Sequence, residues 1–67
     1  MSTVNLVCST LGELLQRFRQ ERGMTQVQLA ELSGVSRGNI SKIENGVIQR
    51  PDYKTIQPII AVLEIPL

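Results

Sequence analysis

The sequence predicts an all-α fold, a compact bundle of four short helices, and three observations point to it. Leu, Ile and Val recur at helical spacing in four separate segments. The starts of three of these are marked by residues suited to capping, Thr10, Thr25 and Ser36. Their ends are marked by Gly23, Gly34 and Gly46, residues free to take the positive φ of a sharp exit. The second and third helices are joined by a tight glycine-containing turn, which makes them a helix-turn-helix pair.

The first segment, MSTVNLVCS over residues 1–9, has no helical period and is expected to be a flexible N-terminal arm. Val4, Leu6 and Cys8 alternate, which leaves a short extended arm as the other reading. Cys8 has no basic neighbour to lower its pKa and is read as a small hydrophobe. The domain proper is expected over residues 10–67. Helix 1 starts at Thr10, whose pairing with Glu13 has the form of a capping box. Leu11, Leu14, Leu15 and Phe18 form its apolar stripe, and Gly23 closes it. Helix 2 covers roughly 26–33. Thr25 and Gln28 form a second capping box, Met24 and Leu29 have the spacing of a hydrophobic staple, and Leu29, Ala30 and Leu32 are expected inward.

Helix 3, roughly 37–45, is capped by Ser36 and has only Ile40 and Ile43 as clear core positions. At about 100° per residue, Gly38, Lys42 and Asn45 fall on the opposite face, flanked by Arg37 and Ser41. That outer face has no large apolar side chain, so it is suited to meet something other than the protein's own core. In the last segment Tyr53, Ile56, Ile59, Ile60 and Leu63 make an apolar stripe. Pro58 would interrupt a helix begun at Tyr53 at a cost of ~3 kcal/mol. Residues 47–52 are read as a connection marked by Pro51 and closed by Asp52 as a cap. Because of Pro58 the expectation is a loose or 3₁₀-like turn over 53–57, the α-helix proper capped by Thr55, and a regular helix to about Leu63.

Composition narrows the chemistry. The chain has 67 residues, enough for one domain near the small end of what folds alone. Seven basic and six acidic residues give a net charge of +1, too little to announce nucleic acid by bulk charge. Charge position must carry that argument. A single cysteine and no histidine rule out an internal disulfide and leave no metal site in view. No cofactor is expected either. Without histidine, a nucleophile–base pair or a glycine-rich phosphate loop, no catalytic constellation can be assembled, so an enzyme is not expected. No signal peptide and no apolar run near the ~20 residues of a membrane helix is present, so a soluble, cytoplasmic protein is expected.

The fragments MTQVQLAELSGVS, ISKIENG and PDYKTI, in that order and spacing, resemble the phage-repressor and Cro-like, or XRE-type, helix-turn-helix domains. The resemblance runs from about Leu11 to Ile65. It implies a lambda-repressor-like bundle with its fifth helix absent or truncated, since Leu67 falls where that helix would begin. It implies the N-terminal part of a longer regulator with a C-terminal regulatory domain, and a homodimer on a two-fold operator in double-stranded DNA.

The resemblance also assigns roles. Helix 3 enters the major groove, and Arg37, Gly38, Asn39 and Lys42 contact bases. Arg and Lys have the donors for guanine O6 and N7. Gly38 departs from the usual polar side chain, which permits close backbone approach or contact with a thymine methyl. Gln26 matches a phosphate-binding glutamine at a helix N-terminus. Thr25, Ser36, Asn45, Arg50, Lys54 and Arg19 complete the expected phosphate contacts, and Arg19 is also expected to pair with Glu44 in a structural ion pair. The implied function is sequence-specific DNA binding in transcription regulation. The alternative is a protein-interaction module, adaptor or antitoxin-like, using the same face of helix 3.

Overall fold

The computed structural model describes residues 10–66, which form α1 (Leu11–Glu21), α2 (Gln26–Ser33), α3 (Arg37–Glu44) and α4 (Tyr53–Leu63). The readings made for residues 1–9 lie outside the described residues. Among the described residues the secondary structure is entirely helical.

Local chemistry sets the ends of each helix. Thr10 Oγ1 accepts from the Glu13 N–H at 3.1 Å, and Ser36 Oγ accepts from the Asn39 N–H at 3.2 Å. At α2 the capping box is complete: Thr25 Oγ1 accepts from the Gln28 N–H at 3.1 Å, and Gln28 Oε1 accepts from the Thr25 N–H at 2.9 Å. Each arrangement satisfies first-turn donors that have no partner inside the helix. The ends of α1 and α3 use one device. Met24 N–H donates to the Arg19 carbonyl at 3.1 Å, and Val47 N–H donates to the Lys42 carbonyl at 2.8 Å. These six-residue closures need a left-handed residue, supplied by Gly23 (φ 67°) and Gly46 (φ 82°).

The core is aliphatic. Leu29, Ile40, Ile43, Ile59 and Leu63 are almost wholly enclosed, with Leu15, Ile56 and Ile65 beside them. Each such side chain contributes roughly 1.5–3 kcal/mol of burial. Both α1 and α2 pack on α3 and α4, so α3 is gripped by the two helices that precede it.

Three apolar residues expected inside are not. Leu32 is 63% exposed, because Leu29 and Ala30 define the inward line of this two-turn helix and Leu32 falls about 110° from it. Tyr53 is 70% exposed, at the first residue of α4 and off the line of Ile56, Ile59 and Leu63. Leu11 stands at the exposed border, on the rim of a hollow shared with Gly12, Ile43 and Ile48.

The start of α4 also differs from expectation. The helix begins at Tyr53 with Asp52 as N-cap, and Pro58 lies inside it. Thr55 and Ile56 N–H both donate to the Asp52 carbonyl at 3.0 Å, and Thr55 Oγ1 donates to Asp52 Oδ1 at 2.8 Å. Asp52 thus holds the first turn from both its backbone and its side chain. The carbonyl that Pro58 leaves without an intrahelical donor belongs to Lys54, which is exposed to water. The proline is therefore cheaper here than in a buried helix.

Gly12 is the one glycine whose place would not admit a side chain for lack of room. It sits at the second position of α1 against the last residues of α3. A methyl group there would collide with the Ile43 carbonyl oxygen and lie 3.0 Å from that of Glu44. Absence of a side chain at Gly12 is what lets the start of α1 touch the end of α3.

Candidate nucleic-acid interface

The eight residues of α3 divide sharply. Ile40 and Ile43 are buried to 2% and 1% exposure, and Glu44 to 5%. Arg37, Gly38, Asn39 and Lys42 are exposed, as is Asn45, the residue that caps the helix, and Ser41 is half-buried. The outward face is thus polar and cationic, with no carboxylate, because the one acid of the helix points inward. Asn45 Nδ2 donates to Ser41 Oγ at 3.4 Å, a long bond along this face.

Glu44 is the centre of a buried polar node that joins three helices. Arg19 Nε donates to Glu44 Oε2 at 2.7 Å, and Arg19 Nη2 donates to Glu44 Oε1 at 3.0 Å. The paired geometry of guanidinium and carboxylate is the strong form of this interaction. Arg19 Nη1 donates to the Met24 carbonyl at 2.7 Å, and Gln26 Nε2 donates to Glu44 Oε1 at 3.0 Å. Among the described residues no buried side-chain nitrogen or oxygen lacks a partner. A buried pair is costly to desolvate, and this one is offset by bonds to every group around it. The node fixes where α3 exits and where α2 begins relative to each other.

The structure brings only some of the expected site residues together. Arg37, Gly38, Asn39 and Lys42 share the solvent side of α3. Gln26 is held at the start of α2 by Glu44, with one amide hydrogen engaged and a second left for another acceptor. The hydroxyls of Thr25 and Ser36 are exposed and engaged as caps. Arg50, in the α3–α4 connection, lines the hollow that contains Gly46 and Ile43, next to the end of α3. Lys54 is exposed on the first turn of α4, which packs on α1 and α2, and it is the least tied to α3. Arg19 is buried, and three of its five N–H groups are already spent inside the fold.

Two participants escaped the sequence reading. Gly12 was legible only as a glycine in a first helical turn, where no positive φ calls for one; such a residue signals close packing. The Gln26–Glu44 bond had no signal, because it depends on the relative placement of α2 and α3.

A helix-turn-helix held in this way, with a polar face turned outward, defines the class of protein. Residues 15–67 match the family described as helix-turn-helix, and the chain belongs to that family, in its phage-repressor-like (XRE) type. It is 45% identical over 58 residues to an uncharacterised HTH-type transcriptional regulator, RghRB, of Bacillus subtilis (strain 168), covering 87% of this chain and 42% of that protein. It is 46% identical over 57 residues to the HTH-type transcriptional repressor RghR of the same organism, covering 85% of this chain and 42% of the relative. The HTH-type transcriptional regulator SlrR, also of Bacillus subtilis, is 37% identical over 57 residues, or 85% of this chain and 38% of its own length. The chain thus spans about two-fifths of these relatives. No solved structure matches it. Among the described residues no helix is long and apolar enough to cross a membrane.

Proposed function

We propose that this chain is a sequence-specific, double-stranded-DNA-binding domain of a transcriptional regulator, with α3 lying in the major groove. The observation that carries the reading is the division of α3. Its inward residues are anchored by the core and the Glu44 node, and its outward residues are exposed, polar and free of acid. A rigid helix offering donors from one side is what base-edge readout needs. Arg37 and Lys42 supply the donors for guanine, and Asn39 reaches bases from the flank of the same helix. Gln26, Thr25, Ser36 and Asn45, with Arg50 and Lys54, hold the phosphates, where neutral donors and helix N-termini serve as well as charges. Arg19 acts mainly through the node, as the support of Gln26.

The names of the relatives, all transcriptional regulators and one of them a repressor, support the same reading. By the same reading the working form is a homodimer on a two-fold operator in the cytoplasm, with effector sensing in a C-terminal regulatory domain. The protein-interaction alternative is weaker, because the α3 face lacks the aromatic and large apolar anchors that dominate protein–protein contacts.

The test is selection of bound duplexes from a random library, followed by binding measurements with the double variant Arg37→Glu/Lys42→Glu. The expected result is a symmetric enriched site for the unaltered chain. The variant should keep its helical circular dichroism and lose specific binding. Normal binding by the variant would refute the assignment of the face, and partner-protein binding that persists in high salt without DNA binding would select the alternative.

A further inference from the structure

Gly38 stands at the most prominent point of α3. Measured at about 100° per residue, it lies within about 10° of the direction opposite the midpoint of Ile40 and Ile43. It is exposed, its φ is not in the left-handed region, and nothing lies within 4 Å of where a Cβ would be. Among the described residues no turn, close approach or strained backbone requires a glycine there. Glycine is among the poorest helix formers, so the position carries a penalty that no contact among the described residues repays.

Resting on the DNA-binding reading above, we infer that Gly38 is a specificity-determining position that receives the 5-methyl group of a thymine. The argument is one of exclusion among base edges. The surface that Gly38 turns outward is Cα–H, with no donor or acceptor; its N–H points along the helix axis. In the major groove, guanine, cytosine and adenine offer their donors and acceptors with no methyl group, and this surface can pair with none of them. Thymine also carries an acceptor, O4, but it alone adds a methyl group that an apolar surface can cover. A missing Cβ also lets the helix axis approach by about the length of a carbon–carbon bond, ~1.5 Å, and a methyl group fills that gap. The neighbours complete a short code. Arg37 and Lys42 flank the gap with donors for guanine, so thymine should stand beside guanine in each half-site.

The test pairs Gly38→Ala with removal of the methyl from DNA. Duplexes carrying the enriched site are prepared with each thymine replaced in turn by uracil. Binding of the 67-residue chain and of its Gly38→Ala variant is then measured by fluorescence anisotropy. For the unaltered chain, one thymine in each half-site should matter, its replacement weakening binding about threefold to fourfold. Gly38→Ala should bind the thymine duplex about tenfold more weakly, because its methyl overfills the gap that the thymine methyl occupies. At that one position the variant should bind the uracil duplex better than the thymine duplex, reversing the preference. Helical content and melting temperature of the variant are measured alongside, and neither should fall.

Unchanged affinity and base preference in Gly38→Ala would overturn the inference. So would an equal loss on every duplex with no reversal at any thymine, which would mean the gap serves the DNA backbone. If the unaltered chain enriches no duplex at all, the DNA-binding reading fails first and this inference falls with it. A clean enriched site without the reversal removes only the role of Gly38.

Discussion

Gly12 and Gly38 occupy the same place in two helices, the second helical position after a hydroxyl cap. Replacing each with alanine therefore changes local propensity by the same amount, a gain of at most about 1 kcal/mol. What differs is the neighbour. At Gly38 the new methyl meets nothing within 4 Å, so the propensity term stands alone. At Gly12 it meets the Ile43 and Glu44 carbonyls. These are backbone atoms and cannot rotate away. The Ile43 carbonyl also accepts from the Gly46 N–H at 3.2 Å, so pushing it aside strains the end of α3 as well. Overpacking of this kind typically costs 1–3 kcal/mol, or ~3 here because neither contact can relax, and it outweighs the gain. The expected net effects are a stabilisation of up to ~1 kcal/mol for Gly38→Ala and a loss of ~2–3 kcal/mol for Gly12→Ala. For a domain of this size each kcal/mol moves the melting temperature by about 4–8 °C. Thermal and urea denaturation followed by circular dichroism measure both. If Gly12→Ala melts at or above the unaltered chain, the close contact between α1 and the end of α3 is wrong.

The buried node makes a larger prediction. Glu44→Ala leaves the Arg19 guanidinium buried and unpaired, a loss of about 3–5 kcal/mol, which is most of what a core this small supplies. The expected outcome is a largely unfolded chain at 37 °C by circular dichroism, and a cooperative melt near the original temperature would contradict it. Thr25→Ala removes one half of the α2 capping box and should cost about 1 kcal/mol, a modest fall in urea midpoint with an unchanged slope. Salt separates the two kinds of DNA contact. Arg50→Ala should weaken binding to all duplexes alike and flatten the dependence of log affinity on log salt by about one unit per domain, while Arg37→Ala should chiefly relax base preference. Equal effects of the two substitutions on preference would mean that Arg37 is a phosphate contact.

The ends of α1, α2 and α3 were legible because they are written in local chemistry. Thr10, Thr25 and Ser36 act on donors three residues away, and glycines supply conformations that other residues resist. The start of α4 was legible only in part: Asp52 reads as a cap, but the full helix-interior cost of Pro58 argued for a start at Thr55. That cost is lower where the freed carbonyl belongs to an exposed residue, Lys54. Leu32 and Tyr53 show the same limit from another side. Both lie off the inward line of their helices, and which apolar residues define that line is set by the helices packed against them. For the candidate site, the outward face of α3 followed from the positions of Ile40 and Ile43 alone. Gly12 and the Gln26–Glu44 bond join segments far apart in sequence, and periodicity within one helix carries no information about them.

The node also resolves the apparent conflict between a net charge of +1 and the DNA-reading role proposed above. Net charge counts every ionised group equally, while a duplex feels those within about a Debye length, roughly 8–10 Å in ordinary salt, and weights them by exposure. Glu44 is turned into the fold and matched by Arg19, so this pair adds nothing to the field outside. With the acid withdrawn, Arg37 and Lys42 are the charges left on the outer face of α3, and Arg50 stands beside its end. The same carboxylate that locks α3 to α1 and α2 therefore makes the helix's surface positive. Stability and the sign of the exposed face depend on one residue, which explains how a small, nearly neutral domain can present cations in one place without an excess elsewhere.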